Sequence, residues 1–365
     1  MKILFINDHF ERGGAGRVAA IQCNGLFRRG YEIKLVTDTK FWERNYPIEP
    51  KIPELHITTK SQKPGGFAKL MKWLKCARDI RKYINLEQPD IIIAIQSMPY
   101  LCTYLANIGL HYPVIVADHT SFNRHQGLLI DFIRYRLYGK ADGISILTQR
   151  DERILGDKYP QKQVIYNPLS FPVLEETTVR RKNILCVGRL EVWEIKGLDI
   201  IIDIWSHIQA KYSDWTLEIA GDGKPESQQK VNNMIAEHGL EGRVALLGHV
   251  SDMKACYSES SIFALPSRME GFPMALLEAM SQGCACVAFH IEGASSEMVE
   301  EGAGLVVQDG DVDAFERSLD ELLQDEEKRH SYSVKAIKSA SRFTEESFIN
   351  RWEELIRTTM RKRKK

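Results

Sequence analysis

Long hydrophobic runs are missing from this sequence. Its purely apolar stretches reach about five residues, far below the ~20 needed to cross a bilayer as a helix. Cysteines are few and unpaired in pattern: seven, an odd number, scattered at Cys23, Cys76, Cys102, Cys186, Cys256, Cys284 and Cys286. With no Cys-x-x-Cys and no paired histidine spacing, a zinc site and a disulfide framework are both disfavoured, and a reducing compartment is expected. The N-terminal Met1-Lys2-Ile3-Leu4-Phe5-Ile6 runs straight into a short apolar strand without a signal-peptide core. A cytoplasmic chain, peripheral at the inner face of the cell membrane, is the expectation. Net charge is also absent, with 49 Lys+Arg against 49 Asp+Glu. General nucleic-acid binders are clearly basic, so nucleic acid is not an expected partner. No fixed-period repeat is visible.

What is present is an ordinary folded composition over 365 residues, 44% hydrophobic and 27% charged. That length exceeds one ordinary core and fits two domains. The zero net charge hides an asymmetry: residues 1–170 carry 25 basic and 16 acidic side chains, residues 171–365 carry 24 and 33. The first half is therefore the one suited to an anionic partner. Short β-rich runs alternate with amphipathic segments. Strands are predicted at 3–6, 33–37, 91–95, 114–117, 144–147 and 164–166, then at 184–187, 216–220, 244–247, 262–265, 284–288 and 305–307. This alternation predicts an α/β protein with two Rossmann-like, doubly wound domains facing across a cleft. The predicted boundaries are 1–167, a linker at 168–182 marked by Pro168 and Pro172, a second domain at 183–340, and a C-terminal helix at 341–365 packing back toward the first domain, with a basic tail.

Ligands of open parallel sheets bind beyond the carboxyl ends of the strands, which directs attention to the loops there. Arg12-Gly13-Gly14-Ala15-Gly16-Arg17 follows strand one and opens a helix whose N-terminus favours an anion. Gly14 to Ala19 also fits G-x-G-x-x-A, with Asp38 about 20 residues on, as a dinucleotide site would require. Seven residues separate Ile6 from Gly14, however, whereas a dinucleotide loop turns immediately after its strand. Gly188-Arg189-Leu190 ends the second domain's first strand, and Lys196-Gly197 is placed at the start of the next helix. Two cations beside a helix N-terminus make a diphosphate site. The third loop is Pro266-Ser267-Arg268-Met269-Glu270-Gly271-Phe272-Pro273-Met274, followed by Ala275-Leu276-Leu277-Glu278-Ala279. Pro273 fits a first helical turn, and the amides near Phe272–Met274 would point at a ligand. Glu270 and Glu278 are placed to grip two parts of one elongated ligand, a carboxylate being a good acceptor for paired sugar hydroxyls.

These ordered pieces carry a resemblance. With Gly221-Asp222-Gly223, Leu247-Gly248-His249-Val250 and Glu270-Gly-Phe-Pro-Met-Ala-Leu-Leu-Glu278, the second half resembles the retaining nucleotide-sugar glycosyltransferases of family four, which have the two-domain GT-B fold. The likeness points to the enzymes of bacterial surface-polysaccharide and lipid-linked oligosaccharide assembly. The Gly13-Gly14-Ala15 loop is similar to that family's acceptor-side glycine loop. The resemblance implies catalytic roles for His119, Glu270, Arg189 and Lys196: Arg189 and Lys196 on the donor diphosphate, Glu270 and His119 beside the transferred sugar. It implies donor contacts from Gly14, Gly248, His249, Val250, Gly271, Phe272, Pro273, Met274, Leu277 and Glu278, with Glu278 on the ribose. It also implies net retention, a UDP-sugar as donor substrate, and neither metal nor other cofactor. Asp311-Val312-Asp313 imitates a metal-binding Asp-x-Asp, but it follows Gly310 and reads as a helix N-cap. One departure is the segment His290-Ile291-Glu292-Gly293-Ala294-Ser295-Ser296-Glu297, where the family often has a Gly-Gly-x-x-Glu loop.

The acceptor side is read from residues 63–84. Phe67, Leu70, Met71, Leu74, Ala77, Ile80 and Ile84 recur at helical spacing, and Lys69, Lys72, Lys75, Arg78, Arg81 and Lys82 cover the rest. A basic amphipathic helix lies on anionic lipid or receives a lipid diphosphate; a core helix with a solvated basic face is the rival. The expected reaction is transfer of a hexose or N-acetylhexosamine to a polyprenyl-diphosphate-linked glycan acceptor at an anionic membrane surface. The alternatives are a NAD-dependent oxidoreductase, resting on the first glycine loop, and a UDP-sugar epimerase-like enzyme.

Overall fold

The fold was analysed in a computed structural model. It describes residues 1–7, 10, 13–38, 46–57, 66–122, 125–159, 161–175, 179–291, 295–300 and 302–362, without the side chains of 66–69. The chain separates into two units, 1–168 with 345–365, and 169–344.

In the first unit the strands are β1 (Lys2–Ile6), β2 (Glu32–Thr37), β3 (Glu54–His56), β4 (Ile91–Ile95), β5 (Val114–Ala117), β6 (Gly143–Ile146) and β7 (Lys162–Val164). All are parallel, in the order β3-β2-β1-β4-β5-β6-β7. The helices α1 (Gly14–Arg28), α2 (Gly66–Glu87), α3 (Ser97–Asn107), α4 (Leu128–Phe132) and α5 (Gln149–Leu155) connect them. The unbroken apolar run of β4 is buried throughout, as a central strand covered on both faces requires. A cluster from β1, β4, β5 and β6 with Cys76, Ile80 and Ile84 of α2 and Cys102 of α3 fills one face. The C-terminal helix (Glu345–Lys362) belongs to this unit and packs on α1 and β6. Gly25 of α1 permits the approach, because a Cβ there would collide with Ile349, and Phe348, Ile349, Trp352, Leu355 and Ile356 are all buried.

The second unit holds β8 (Arg181–Val187), β9 (Thr216–Ala220), β10 (Val244–Gly248), β11 (Ser260–Leu265), β12 (Ala285–Phe289) and β13 (Leu305–Val307). They form a parallel sheet in the order β10-β9-β8-β11-β12-β13. Its helices are α6 (Trp193–Lys196), α7 (Leu198–Ile208), α8 (Pro225–Glu237), α9 (Met253–Glu259), α10 (Met274–Ser281), α11 (Ser295–Met298), α12 (Val312–Gln324) and α13 (Glu326–Ala340). Asp311 caps α12 by accepting from the Ala314 amide at 2.9 Å, so the Asp-x-Asp motif is a helix start.

Two doubly wound α/β units are what the alternation predicts. The first sheet gains a strand the sequence pattern does not show: β3 is Glu-Leu-His at an edge and carries no apolar run. The strand placed at 164–166 lies instead at 162–164. All seven cysteines are free and buried. Among the described residues no helix is long and apolar enough to cross a membrane.

Candidate active site

In the second unit the loops leaving β8, β9, β10 and β11 meet at the carboxyl edge of the sheet. Glycines make the meeting possible. A Cβ on Gly188 would press into the stem of Lys196, 2.8 Å from its Cγ. One on Gly221 would collide with the Gly188 carbonyl, and one on Gly197 with the carbonyl of Pro266. The Gly221 amide donates to Gly248 O at 2.9 Å, which ties the β10 loop to the same group.

Lys196 is the last residue of α6, not the first of the following helix. Gly197, in the left-handed region (φ 66°), turns the chain into α7. Lys196 Nζ donates to Glu270 Oε1 at 2.6 Å, and both side chains are partly open to solvent. The pair joins the loop after β8 to the loop after β11. Arg268, which the motif reading passed over, staples the same two loops. Its amide donates to Ile195 O at 2.8 Å, and its guanidinium grips Asp199 with bonds of 2.8 and 2.6 Å. A bidentate Arg–carboxylate pair fixes geometry as well as charge. Arg189, in the loop leaving β8, is exposed, and no described residue pairs with it.

The helix after Pro273 begins at Met274, with Pro273 itself at the cap. The Met274 amide donates to Phe272 O at 2.8 Å, so it is engaged within the loop and not offered to a ligand. Gly271 is partly exposed; Phe272 and Pro273 are buried. Leu277 is buried, as is every residue of α10 from Leu276 to Ser281, so the helix is enclosed on all its faces. Glu278 is buried and accepts from Ser170 Oγ on one oxygen and from Tyr257 OH at 3.1 Å on the other. Burial and the nearby Glu278 carboxylate push the Tyr257 hydroxyl well above its ordinary pKa, so it remains a donor. No periodicity or motif marks Ser170 or Tyr257. Gly248 lies in the left-handed region, with His249 exposed and Val250 partly so. Residues 292–294, where the sequence departs from the family pattern, are outside the described residues.

In the first unit His119 follows β5. Among the described residues neither ring nitrogen has a hydrogen-bond partner, although both are buried. Burial holds the imidazole below its ordinary pKa, against the opposing pull of the Asp118 carboxylate. It is therefore neutral near pH 7, with one donor and one acceptor nitrogen to offer. Its loop is clamped from below. Arg134, fully buried on a π-helical turn (Ile133–Leu137), donates through Nε to Asp118 at 2.9 Å and through Nη2 to Thr120 O at 2.7 Å. Tyr138 OH donates to Asp118 at 3.0 Å, and Asp151 accepts from the Phe122 amide at 2.9 Å. Nothing in the sequence pattern signals this network. Gly14 opens α1, and the amide of Gly13 donates to Tyr46 OH at 3.0 Å.

The basic helix α2 is divided in its duties. Arg81 donates to the carbonyls of Ala106 and Ile108 at 2.9 and 2.7 Å, so it caps α3 and is not free for an acceptor. Lys72 lies over the Trp73 ring (4.2 Å), Arg78 pairs with Asp79 (3.6 Å), and Lys75 and Lys82 are exposed. The side chain of Lys69 and residues 363–365 of the basic tail are outside the described residues.

Comparison with known proteins covers both units. The family described as Glycosyltransferase Family 4 matches residues 12–170, and that described as Glycosyl transferases group 1 matches residues 181–325. A Haemophilus influenzae uncharacterized glycosyltransferase is 26% identical over 96% of this chain and 98% of its own. A Campylobacter jejuni α-1,4-N-acetyl-D-galactosaminyltransferase acting on a diNAcBac-PP-undecaprenol-linked saccharide is 25% identical, covering 98% of each. The fold of Anabaena HepE, solved in complex with UDP, superposes with a TM-score of 0.79 at 19% identity over 98% of this chain and 100% of that one.

Proposed function

The chain belongs to the family-four type of GT-B glycosyltransferase found in bacterial surface-glycan assembly, and from that premise we propose the reaction it carries out. It moves a hexose or N-acetylhexosamine from a UDP-sugar to a polyprenyl-diphosphate-linked glycan, with retention of anomeric configuration and without a metal. The observation that carries this reading is the Lys196–Glu270 pair, which joins the loops leaving β8 and β11 at the carboxyl edge of one sheet. The UDP held by HepE and the lipid-linked acceptor of the Campylobacter relative support the choice of donor and acceptor.

As the bond from the sugar's anomeric carbon to the diphosphate breaks, negative charge grows on the departing oxygen. On this reading Lys196 and Arg189 meet that charge as it develops, and a fixed cation there is worth about 10²–10³-fold in turnover. When the diphosphate binds, the ammonium of Lys196 turns from Glu270 to phosphate oxygen, which frees the carboxylate for a sugar hydroxyl. The acceptor hydroxyl adds to the anomeric carbon on the face the diphosphate leaves, and its proton passes to the departing phosphate oxygen. Glu278, positioned by the hydroxyls of Ser170 and Tyr257, is the carboxylate that accepts from the ribose hydroxyls. The neutral imidazole of His119 offers a hydrogen bond to the transferred sugar. Arg189 and Lys196 supply the positive charge that a metal otherwise would, so chelation leaves turnover unchanged. Work on a lipid-linked acceptor places the chain peripherally at the inner membrane face, where the basic side chains of α2 meet anionic headgroups.

The test is a panel of UDP-, GDP- and ADP-sugars, with NAD as the contrast, offered together with lipid-linked acceptors and read by mass spectrometry and thermal shift. Sugar transfer from a UDP-sugar, insensitive to EDTA and with the donor's anomeric configuration in the product, is the expected result. Stabilisation by NAD alone, with no transfer from any nucleotide sugar, refutes the reading.

A further inference from the structure

The first unit exposes apolar side chains that its fold leaves uncovered. α4 reads Leu-Leu-Ile-Asp-Phe. Ile133, just beyond it, is buried and Ile130 packs against the same core, while Leu128, Leu129 and Phe132 project outward. Leu128 is 93% exposed; Leu129, Phe132 and the α2 residues Leu70, Met71 and Leu74 are 47–55% exposed. Singly exposed leucines are ordinary, but two clusters of three at helix starts are not.

The topology places the two clusters at one end of one layer. The strands are parallel; α2 starts beyond the carboxyl end of β3 and runs down to β4, and α4 starts beyond the carboxyl end of β5. Their first turns therefore lie at the same sheet edge. α3 sits between them. It is joined to α2 through the Arg81 bonds to its last carbonyls, and to the turn after α4 through Tyr100 OH, which donates to Leu137 O at 2.9 Å.

On these elements the exposed charges without an opposite partner among the described residues are cations: Lys75, Lys82 and Arg136. The neighbouring carboxylates are engaged: Asp79 with Arg78, and Asp131 with the Gln126 amide (3.2 Å) and His125 (3.3 Å). Apolar side chains projecting from a basic surface match the boundary between anionic headgroups and acyl chains.

We propose that Leu128, Leu129 and Phe132 of α4, with Leu70, Met71 and Leu74 of α2, form an apolar strip that inserts into the interface of an anionic bilayer. The proposal deepens the membrane part of the proposed function and rests on it. It adds a grip that salt does not screen to the electrostatic attraction of the lysines and arginines.

The full-length chain is sedimented with vesicles of phosphatidylcholine alone, and of phosphatidylcholine with phosphatidylglycerol, at low and high salt. Binding to the phosphatidylglycerol vesicles that partly survives high salt is expected. The triple variant Leu128→Ser, Leu129→Ser, Phe132→Ser should lower the high-salt partition coefficient at least about tenfold, since each side chain loses part of its transfer into lipid. Replacing Lys75, Arg78 and Lys82 with Ala should instead weaken the low-salt component. In Leu128→Trp, fluorescence beyond the wild-type background should shift to the blue and be quenched by bromine-labelled acyl chains. Unchanged partitioning of the serine variant at both salts, or no added quenching, overturns the proposal. So does a concentration-dependent dimer that the serine variant abolishes while neither form binds vesicles, which makes the strip a contact between copies. Turnover with a water-soluble acceptor separates the two readings. Insertion without turnover from any nucleotide sugar rejects the enzymatic reading and leaves insertion standing; turnover without insertion does the reverse.

Discussion

Replacing Lys196 with Met keeps the stem that lies over Gly188 and removes only the ammonium. Two effects follow from the 2.6 Å pair with Glu270. The diphosphate loses a cation, which alone lowers turnover by about 10²–10³-fold. Glu270 is also left as an unpartnered, mostly buried carboxylate next to an incoming dianion, so donor binding weakens as well. Stability falls by about 1–3 kcal/mol, the usual cost of stranding one partner of a buried polar pair. Adding Glu270→Gln removes the stranded charge. The double variant should therefore recover most of the stability and part of the UDP affinity, but not the turnover. Chemical denaturation gives the first quantity, calorimetric titration with UDP the second, and single-turnover transfer the third. A Lys196→Met enzyme with turnover within about threefold of wild type and unchanged UDP affinity would refute the assignment of this residue to the diphosphate.

Gly197→Ala introduces a left-handed alanine against the Pro266 carbonyl; it should cost more than the ~1 kcal/mol of the backbone strain alone and weaken UDP binding, read by thermal unfolding and titration. Arg134→Met strands the Asp118 carboxylate in the core and should destabilise the chain by about 3–5 kcal/mol; adding Asp118→Asn should return part of that in equilibrium denaturation. His119 carries a pH signature. Its folded pKa lies below the ordinary 6.5, so the unfolded chain binds the extra proton. Its contribution is complete above that value and is lost as pH falls through it toward the lower folded value. His119→Gln should flatten that part of the stability–pH curve, and an unaltered curve would show that the imidazole is not held neutral.

The elements most legible in the sequence are those where apolar runs and turn chemistry agree. β4, with five consecutive buried apolar residues, and the Asp311 cap of α12 were readable from local pattern alone. β3 was not, since a three-residue edge strand owes its existence to pairing with β2 and not to its own composition. The donor loops were legible as a set because glycine, proline and charge recur at strand ends, yet the roles within a loop were not. Lys196 sits at a helix end because Gly197 reverses the chain, and Leu277 is core because α9, α13, β11 and β12 enclose the whole of α10. Arg81 reads as one more surface cation of α2 until α3 is packed beside it. The Arg134 clamp and the Ser170–Glu278–Tyr257 contacts join residues far apart in sequence, which single-chain patterns do not encode.

Because the helix from Glu345 returns to the first unit, that unit is discontinuous in sequence: 176 residues of the second unit, Leu169–Thr344, are read out before its last piece exists. At the usual ~5–20 residues per second of synthesis, the groove along α1 at Gly25 waits roughly 10–35 s for its occupant. During that interval the nascent first unit presents the bare apolar flank that Ile349, Trp352 and Leu355 later cover. The order of synthesis thus makes the inserted unit the first part of the chain able to complete itself, and makes the host unit's closure the final folding event.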